Sequence, residues 1–343
     1  MAAARHGQRS RWRKSRVSDS TGIEWTDSTW NPVVGCTKVS QGCKNCYAKE
    51  LHDKRHKAYL SGAQLPDQYA LPFEAVQLMP ERLTAPLHWR KPRRVFVNSV
   101  SDLFHEDVPD EFIDRVFAVM ALSRQHTFQV LTKRPERMRA YLNTPMRGAE
   151  IDRADPRRIG GIYSNPLPNV WLGTSVEDQA AADKRIPELL ATPAAVRFLS
   201  CEPLLGAVEL DGKHGWWIEC PTCNGSMSVP APGGGSACPD CLRNQGSQAG
   251  IDWVIVGGES GPGARPCDIG WIRSIVGQCQ AAGVAVFVKQ LGSKPYDAME
   301  AWQNPLEGAD EEPRWLRLRD RKGGELDEWP EDLRVREFPE VTR

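Results

Sequence analysis

Cys36, Cys43 and Cys46 fall in the segment Gly35-Cys-Thr-Lys-Val-Ser-Gln-Gly-Cys-Lys-Asn-Cys-Tyr47, a C-x6-C-x2-C run. Three thiolates this close in sequence can hold three irons of a four-iron, four-sulfur cluster. The fourth iron is then open to a small molecule, whereas electron-transfer clusters usually take four cysteines. Spacing alone does not fix the metal, and the same cysteines completed by His52 or His56 would make a zinc site.

Four more cysteines form two knuckles, Cys220-Pro-Thr-Cys223 and Cys238-Pro-Asp-Cys241, separated by Asn224 to Ala237. Paired knuckles supply four soft ligands in tetrahedral geometry, which reads as a structural zinc ribbon. A rubredoxin-like iron site and cysteines that merely pack are the other readings. A site closed by four cysteines has no open position, so no chemistry is assigned to it. Its functional reading is a small recognition lobe, with Trp216 and Trp217 as stacking surfaces or as its minimal core. Cys201 stands alone at a strand end and is the candidate hydrogen-atom donor or nucleophile, although lone buried cysteines are common. Cys267 and Cys279 read as packing residues.

The elements that must position these groups are short apolar runs, each ending in polar residues. They begin at Val95, Thr127, Asn169, Val196, Asp252 and Val284. Helices are predicted from Asp110 to Ser123, Pro135 to Leu142, Gln179 to Ala191 and Ile269 to Ala282. Unalternating Val/Ile/Phe runs imply strands buried on both faces, and helices between them imply parallel crossovers. A further strand near Trp30 to Val34 would precede the cysteines. The expected fold is α/β, a partial or full parallel β/α barrel of TIM-barrel type, with an open doubly wound sheet as the alternative.

Ligands in parallel α/β folds bind at the C-terminal ends of the strands. Those positions hold Asn98 and Asp102, then Lys133 and Arg134, Glu177, Cys201 and Glu202, Gly257-Gly-Glu259, and Lys289. Glycines after a buried strand permit close backbone approach to a ligand. Glu259 is the candidate partner of an amino group, and Arg265 that of a carboxylate or phosphate. Lys133 and Arg134 are the best local phosphate contact, with a solvated helix face as the bland reading. Lys133 is also carried as a catalytic candidate, with Cys201.

The chain has 343 residues and 44 basic residues against 44 acidic ones, so no global field selects nucleic acid or an acidic membrane. Ten cysteines clustered in C-x2-C pairs read as metal ligation in an intracellular protein rather than as disulfides. No apolar stretch is long enough to span a bilayer and no signal-peptide core follows the start, so a cytoplasmic protein is expected. Residues 1–20 are basic and lack the apolar content to order themselves. They read as a nucleic-acid-binding arm, a solvated tail, a misassigned start or a weak transit-peptide signal. The expected division is a tail at 1–20, a barrel at 21–210 and 251–300, a ribbon at 211–250 and a closing segment at 301–343. In that last segment Trp315 to Gly324 reads as a hairpin, and Trp329 and Phe338 as pins against the barrel.

The cysteine triplet followed by successive β/α units resembles the radical S-adenosylmethionine (SAM) superfamily. More closely, Thr21-Gly-Ile-Glu-Trp-Thr-Asp-Ser-Thr-Trp-Asn-Pro32 with Gly35 to Tyr47 resembles an uncharacterised phage and bacterial three-Cys-motif protein family. Thr132-Lys-Arg-Pro135, Cys201-Glu-Pro-Leu-Leu205, Gly257-Gly-Glu259 and Trp329-Pro-Glu-Asp-Leu-Arg334 fit the same family. The superfamily resemblance implies a barrel, a cluster on Cys36, Cys43 and Cys46, and SAM on the open iron. It also implies a 5′-deoxyadenosyl radical that takes hydrogen from a substrate. Asn98, Gly257, Gly258 and Glu259 become candidate SAM contacts, and a nucleic acid or nucleotide the candidate substrate. The second resemblance implies a three-Cys-motif partner protein, and an electron donor is needed as well. The chain departs from the superfamily in three places. The first gap is six residues rather than three, Asn45 replaces the aromatic residue before the last cysteine, and Gly257-Gly-Glu259 comes late rather than after the second strand. Two other readings stand beside the enzyme: a zinc-dependent nucleic-acid-binding protein without catalysis, and an iron–sulfur electron-transfer protein.

Overall fold

The structure is a computed structural model that describes residues 21–210, 228–231, 234–237, 250–298 and 314–340. Its first elements are β1 (Ser28–Trp30), β2 (Val33–Val34) and α1 (Tyr47–Leu60). Next come β3 (Gln77–Leu78), β4 (Arg94–Val97), α2 (Asp110–Leu122), β5 (Thr127–Thr132), α3 (Pro135–Leu142) and α4 (Arg147–Arg153). The series continues with β6 (Val170–Ser175), α5 (Gln179–Leu190) and β7 (Val196–Cys201). After the hairpin β8 (Ser228–Ala231) and β9 (Gly234–Ala237) come β10 (Trp253–Gly257), β11 (Cys267–Asp268), α6 (Ile269–Ala282), β12 (Ala285–Gln290), β13 (Pro295–Asp297) and β14 (Arg314–Trp315).

Seven strands form one sheet in the order β1-β4-β5-β6-β7-β10-β12, and every neighbouring pair is parallel. The sheet curls into a half-barrel, so the partial-barrel expectation holds. All six expected strands are present. The seventh, β1, is too short and too polar to stand out as a run, and it is recruited by pairing with β4. Local signals end the helices where charge and glycine allow. Asp178 accepts from the Ala181 N–H at 2.8 Å to open α5, Asp268 accepts from the Gly270 N–H at 2.9 Å to open α6, and Gly283 closes α6 at φ +67°.

Strand alternation divides the core. Val95, Val130, Leu172, Leu199, Val256 and Val288 belong to one buried cluster with Ile113, Phe117, Met138, Ile186 and Ile272 of the helices. Phe96, Trp171, Phe198, Trp253 and Phe287 form a second cluster with Trp25, on the opposite side of their strands. Burial of each large side chain contributes on the order of 2 kcal/mol, so the inner face is a filled plug rather than a pore. Phe338 packs on it, with its ring centroid 5.3 Å from that of Trp253 and 5.4 Å from that of Phe287. Trp329 is buried and donates from Nε1 to the Gly323 carbonyl at 3.0 Å. Both residues pin the closing segment as expected. The hairpin expected at Trp315 to Gly324 does not form: an isolated two-stranded hairpin is marginal in water, and β14 instead pairs antiparallel with β13.

Candidate active site at the strand ends

Four carboxylates stand beyond the ends of the central strands, each paired with a cation, and three of the pairs lie at the cysteine loop. Asp102, after β4, pairs with Arg134 at 3.2 Å. Glu177, after β6, pairs with Arg185 at 2.8 Å and with Lys133. Glu259, after β10, pairs with Arg265 at 2.6 Å.

Each of these groups also holds the loop that carries the cysteines. Arg134 donates from Nη2 to Thr37 Oγ1 at 2.9 Å and lies 3.7 Å from Cys36 Sγ through Nη1. Ser40 donates to Glu177 Oε1 at 2.9 Å, and Gly42 approaches so closely that an added Cβ would lie 2.3 Å from the same oxygen. Asn45 donates from Nδ2 to Glu259 Oε2 at 2.9 Å and to the Gly263 carbonyl at 2.8 Å. Arg265 donates to the Gln41 carbonyl at 3.0 Å. The three-cysteine loop is thus drawn across the ends of β4, β5, β6 and β10.

The electrostatics follow from this pairing. Burial pushes the Glu177 carboxyl up, but the charges of Lys133 and Arg185 and the hydrogen bonds from Lys133 and Ser40 outweigh it and hold the group below its usual range. Glu259 is likewise lowered: burial raises it, and the Arg265 and Asn45 contacts more than offset that. Burial pushes the Cys36 thiol up to about 11, with Asp102 adding to the effect, Arg134 opposing it and Cys43 adding again. His105 is fully buried, and burial together with Arg134 lowers its value, so the ring is neutral. Its Nδ1 accepts from the Asp107 N–H at 3.1 Å, which leaves Nε2–H to donate to Thr37 Oγ1 at 2.7 Å.

The donor chemistry of the loop suits a soft metal. Cys36, Cys43 and Cys46 are unpaired thiols, each partly exposed. They do not converge as they stand: among the described residues no group of three or more His, Cys, Asp or Glu is arranged to hold a metal ion. Each histidine of the alternative zinc site bonds a backbone carbonyl through one ring nitrogen, which leaves the other nitrogen as an acceptor. His52 bonds the Leu71 carbonyl at 3.0 Å, and His56 bonds the Tyr69 carbonyl at 2.8 Å. Cys220, Cys223, Cys238 and Cys241 lie outside the described residues, as do residues 1–20. Between the knuckles in sequence, β8 and β9 pair antiparallel.

The other expected residues are placed unevenly. Asn98 is buried at φ +60°; its Oδ1 accepts from the Val33 N–H at 3.3 Å, and its Nδ2 has no hydrogen-bond partner among the described residues. Lys133, Arg134 and Arg265 are each held in an ion pair. Gly257 and Gly258 serve chain packing: a Cβ would lie 2.9 Å from the Gln290 carbonyl oxygen and 2.2 Å from that of Leu291, respectively. Cys201 does not face the site. It shares the parity of Leu199, lies in the helix-side core at 0% exposure, and burial there, with Cys279 adding, pushes its thiol well up.

Sequence reasoning missed Thr37, Ser40, Gln41 and Gly42, whose roles depend on partners far along the chain. The available signal was the concentration of small and amide residues between the cysteines. Glu202 and Lys289 were noted at strand ends without a role; they pair with each other at 2.9 Å, and strand parity puts Lys289 on the inner face with Phe287.

Compared with known proteins, residues 20–327 match a family model described as a protein of unknown function (DUF5131). No curated protein and no solved structure matches the chain.

Proposed function

The chain belongs to this family of unknown function, and for it we propose a radical SAM-type enzyme, with the strand ends of the half-barrel as its active site. The observation that carries the reading is the tethering of the three-cysteine loop to Arg134, Glu177 and Glu259 at the ends of the parallel strands. A loop that only bound a structural metal would not require ties to three separated strands.

Cys36, Cys43 and Cys46 would hold a four-iron cluster, and Asn98, with its unpartnered Nδ2, supports a contact to SAM. When bound and reduced, such a cluster supplies the electron that cleaves SAM, the product of which takes hydrogen from a substrate. The protein's part is to position and to shield. The Asp102–Arg134 and Glu177–Lys133 pairs fix the loop, and the aromatic plug closes the lower end of the half-barrel against water. Glu259 is bonded to Arg265 and Asn45, and so ties the loop as well. A nucleic acid or nucleotide remains the candidate substrate, with the zinc knuckles as a recognition lobe. An electron donor and a three-Cys-motif partner complete the proposal. Among the described residues no helix is long and apolar enough to cross a membrane.

The test is oxygen-free purification, reconstitution with iron and sulfide, and reduction in the presence of SAM, with 5′-deoxyadenosine as the readout. A brown protein that forms it supports the reading, and Cys36→Ala, Cys43→Ala and Cys46→Ala should each abolish formation. Iron bound without cleavage would favour an electron carrier. A colourless protein carrying zinc at both cysteine groups would overturn the proposal in favour of a binding protein.

A further inference from the structure

A cavity of about 380 Å³ lies against the face of α1 that carries Ala48, Leu51, His52 and Arg55. None of the three cysteines and none of the three tethering carboxylates lines it. Its other walls come from the β1–β2 connection and from the segment between Pro66 and Arg82, and include Asn31, Gln68, Tyr69 and Phe73. This size is that of a small-molecule pocket, with mostly apolar walls and a few polar groups.

The charge of the lining is one-sided. Arg55 and Arg82 both line the cavity, and no lining residue is an Asp or Glu. Arg55 donates to the Tyr69 hydroxyl and lies 5.3 Å from the ring centroid, and among the described residues no carboxylate pairs with it. Arg82 donates to Gln68 Oε1 and to the Asn31 carbonyl at 3.4 Å; its ion pair is with Glu81 at 3.5 Å, a side chain 60% exposed. Burial pushes the Arg82 guanidinium below its ordinary value, with Glu81 and Tyr69 opposing. A half-buried guanidinium whose counter-charge sits in water lacks the compensation that buried charges ordinarily have.

We infer that this cavity binds a small organic anion, a flat apolar body bearing a phosphate or carboxylate, with the anionic group on Arg55 and Arg82 and the body against Tyr69 and Phe73. Arginine suits both oxyanions because its planar fork can donate two parallel bonds. The inference does not depend on a metal or on SAM cleavage.

The experiment is calorimetric titration of the metal-free protein at low salt with AMP, benzoate and, as a neutral control, adenosine. AMP or benzoate should bind one to one, and adenosine at least about tenfold more weakly. Arg55→Gln and Arg82→Gln should each weaken the anion about tenfold, the usual cost of a charge-assisted bond. Arg82 also holds Gln68, so if Arg82→Gln proves unfolded by circular dichroism, the exposed Arg55→Gln carries the test. AMP alone binding would assign a phosphate, and benzoate alone a carboxylate. The inference is overturned if neither binds, if adenosine equals AMP, or if Arg55→Gln binds as the parent does. Because no metal is present, these outcomes are independent of the outcome for 5′-deoxyadenosine.

Discussion

The side-chain amide of Asn45 donates to Oε2 of Glu259 at 2.9 Å, tying the residue before Cys46 to the end of β10. Glu259 anchors the loop, and Asn45 is its partner. Removing the amide should release this end of the loop while Arg265 still satisfies the carboxylate. Asn45→Leu should cost about 1–2 kcal/mol in urea unfolding. It should also speed alkylation of Cys46 in the metal-free protein. An unchanged alkylation rate would show that the tie does not restrain the loop.

Gly42 faces Glu177 with no room for a methyl group, since the added Cβ would lie 2.3 Å from Oε1. Gly42→Ala must displace the carboxylate from Lys133 and Ser40 or lift the loop. We expect a loss of about 2 kcal/mol, the scale of an overpacked site, and loss of any iron-dependent activity. Gly62→Ala, at a position with open space, provides the contrast in crowding, although its φ of +90° adds strain of its own.

Glu177 also makes stability depend on acid. Its folded-state value lies below the usual 4.5, so its contribution is fully present above about pH 4.5 and is lost as pH falls through the lowered value. Glu177→Gln leaves Lys133 and the buried Arg185 without their carboxylate and should cost about 3 kcal/mol at pH 7. Its unfolding midpoint should then fall less steeply than the parent's between pH 5 and pH 3, values chosen to span roughly one unit or more about the ordinary carboxylate range. A parallel fall in both proteins would remove Glu177 as the source.

Cys201 is expected to be silent chemically. Cys201→Ala deletes one buried heavy atom from the helix-side core and should cost about 1 kcal/mol, while 5′-deoxyadenosine formation stays at the parent level. In the native protein its thiol should resist iodoacetamide under conditions that modify Cys43 and Cys46. Loss of turnover in a folded Cys201→Ala protein would return it to the site.

Much of this was legible along the chain. Unalternating apolar runs and helical periodicity identified six strands and four helices, because burial on both faces leaves a local signature in composition. The helix Ile269–Ala282 appears where it was expected, with Asp268 at its start and Gly283 at its end. Strand-end position singled out Lys133, Arg134, Glu177 and Glu259, each of which touches the cysteine loop or a group that holds it. Strand β1 was not legible as a run, since three residues become a strand only when β4 lies alongside.

The pairing of these groups was a tertiary matter. Sequence can list four cations and four carboxylates at strand ends, but only the curl of the sheet decides that Arg134 meets Asp102, Lys133 meets Glu177, Arg265 meets Glu259, and Lys289 meets Glu202. That decision also makes Arg134 and Arg265 anchors of the cysteine loop. Cys201 carries the same lesson, because being last in a strand places a residue near the site, while its parity with Leu199 turns its side chain to the helices. The chain by itself determined which residue types gather at the C-terminal edge, through the period of its hydrophobic runs. Which of them face a ligand and which face each other was decided only by the folded sheet, because ion pairs and strand parity join residues that are distant in sequence.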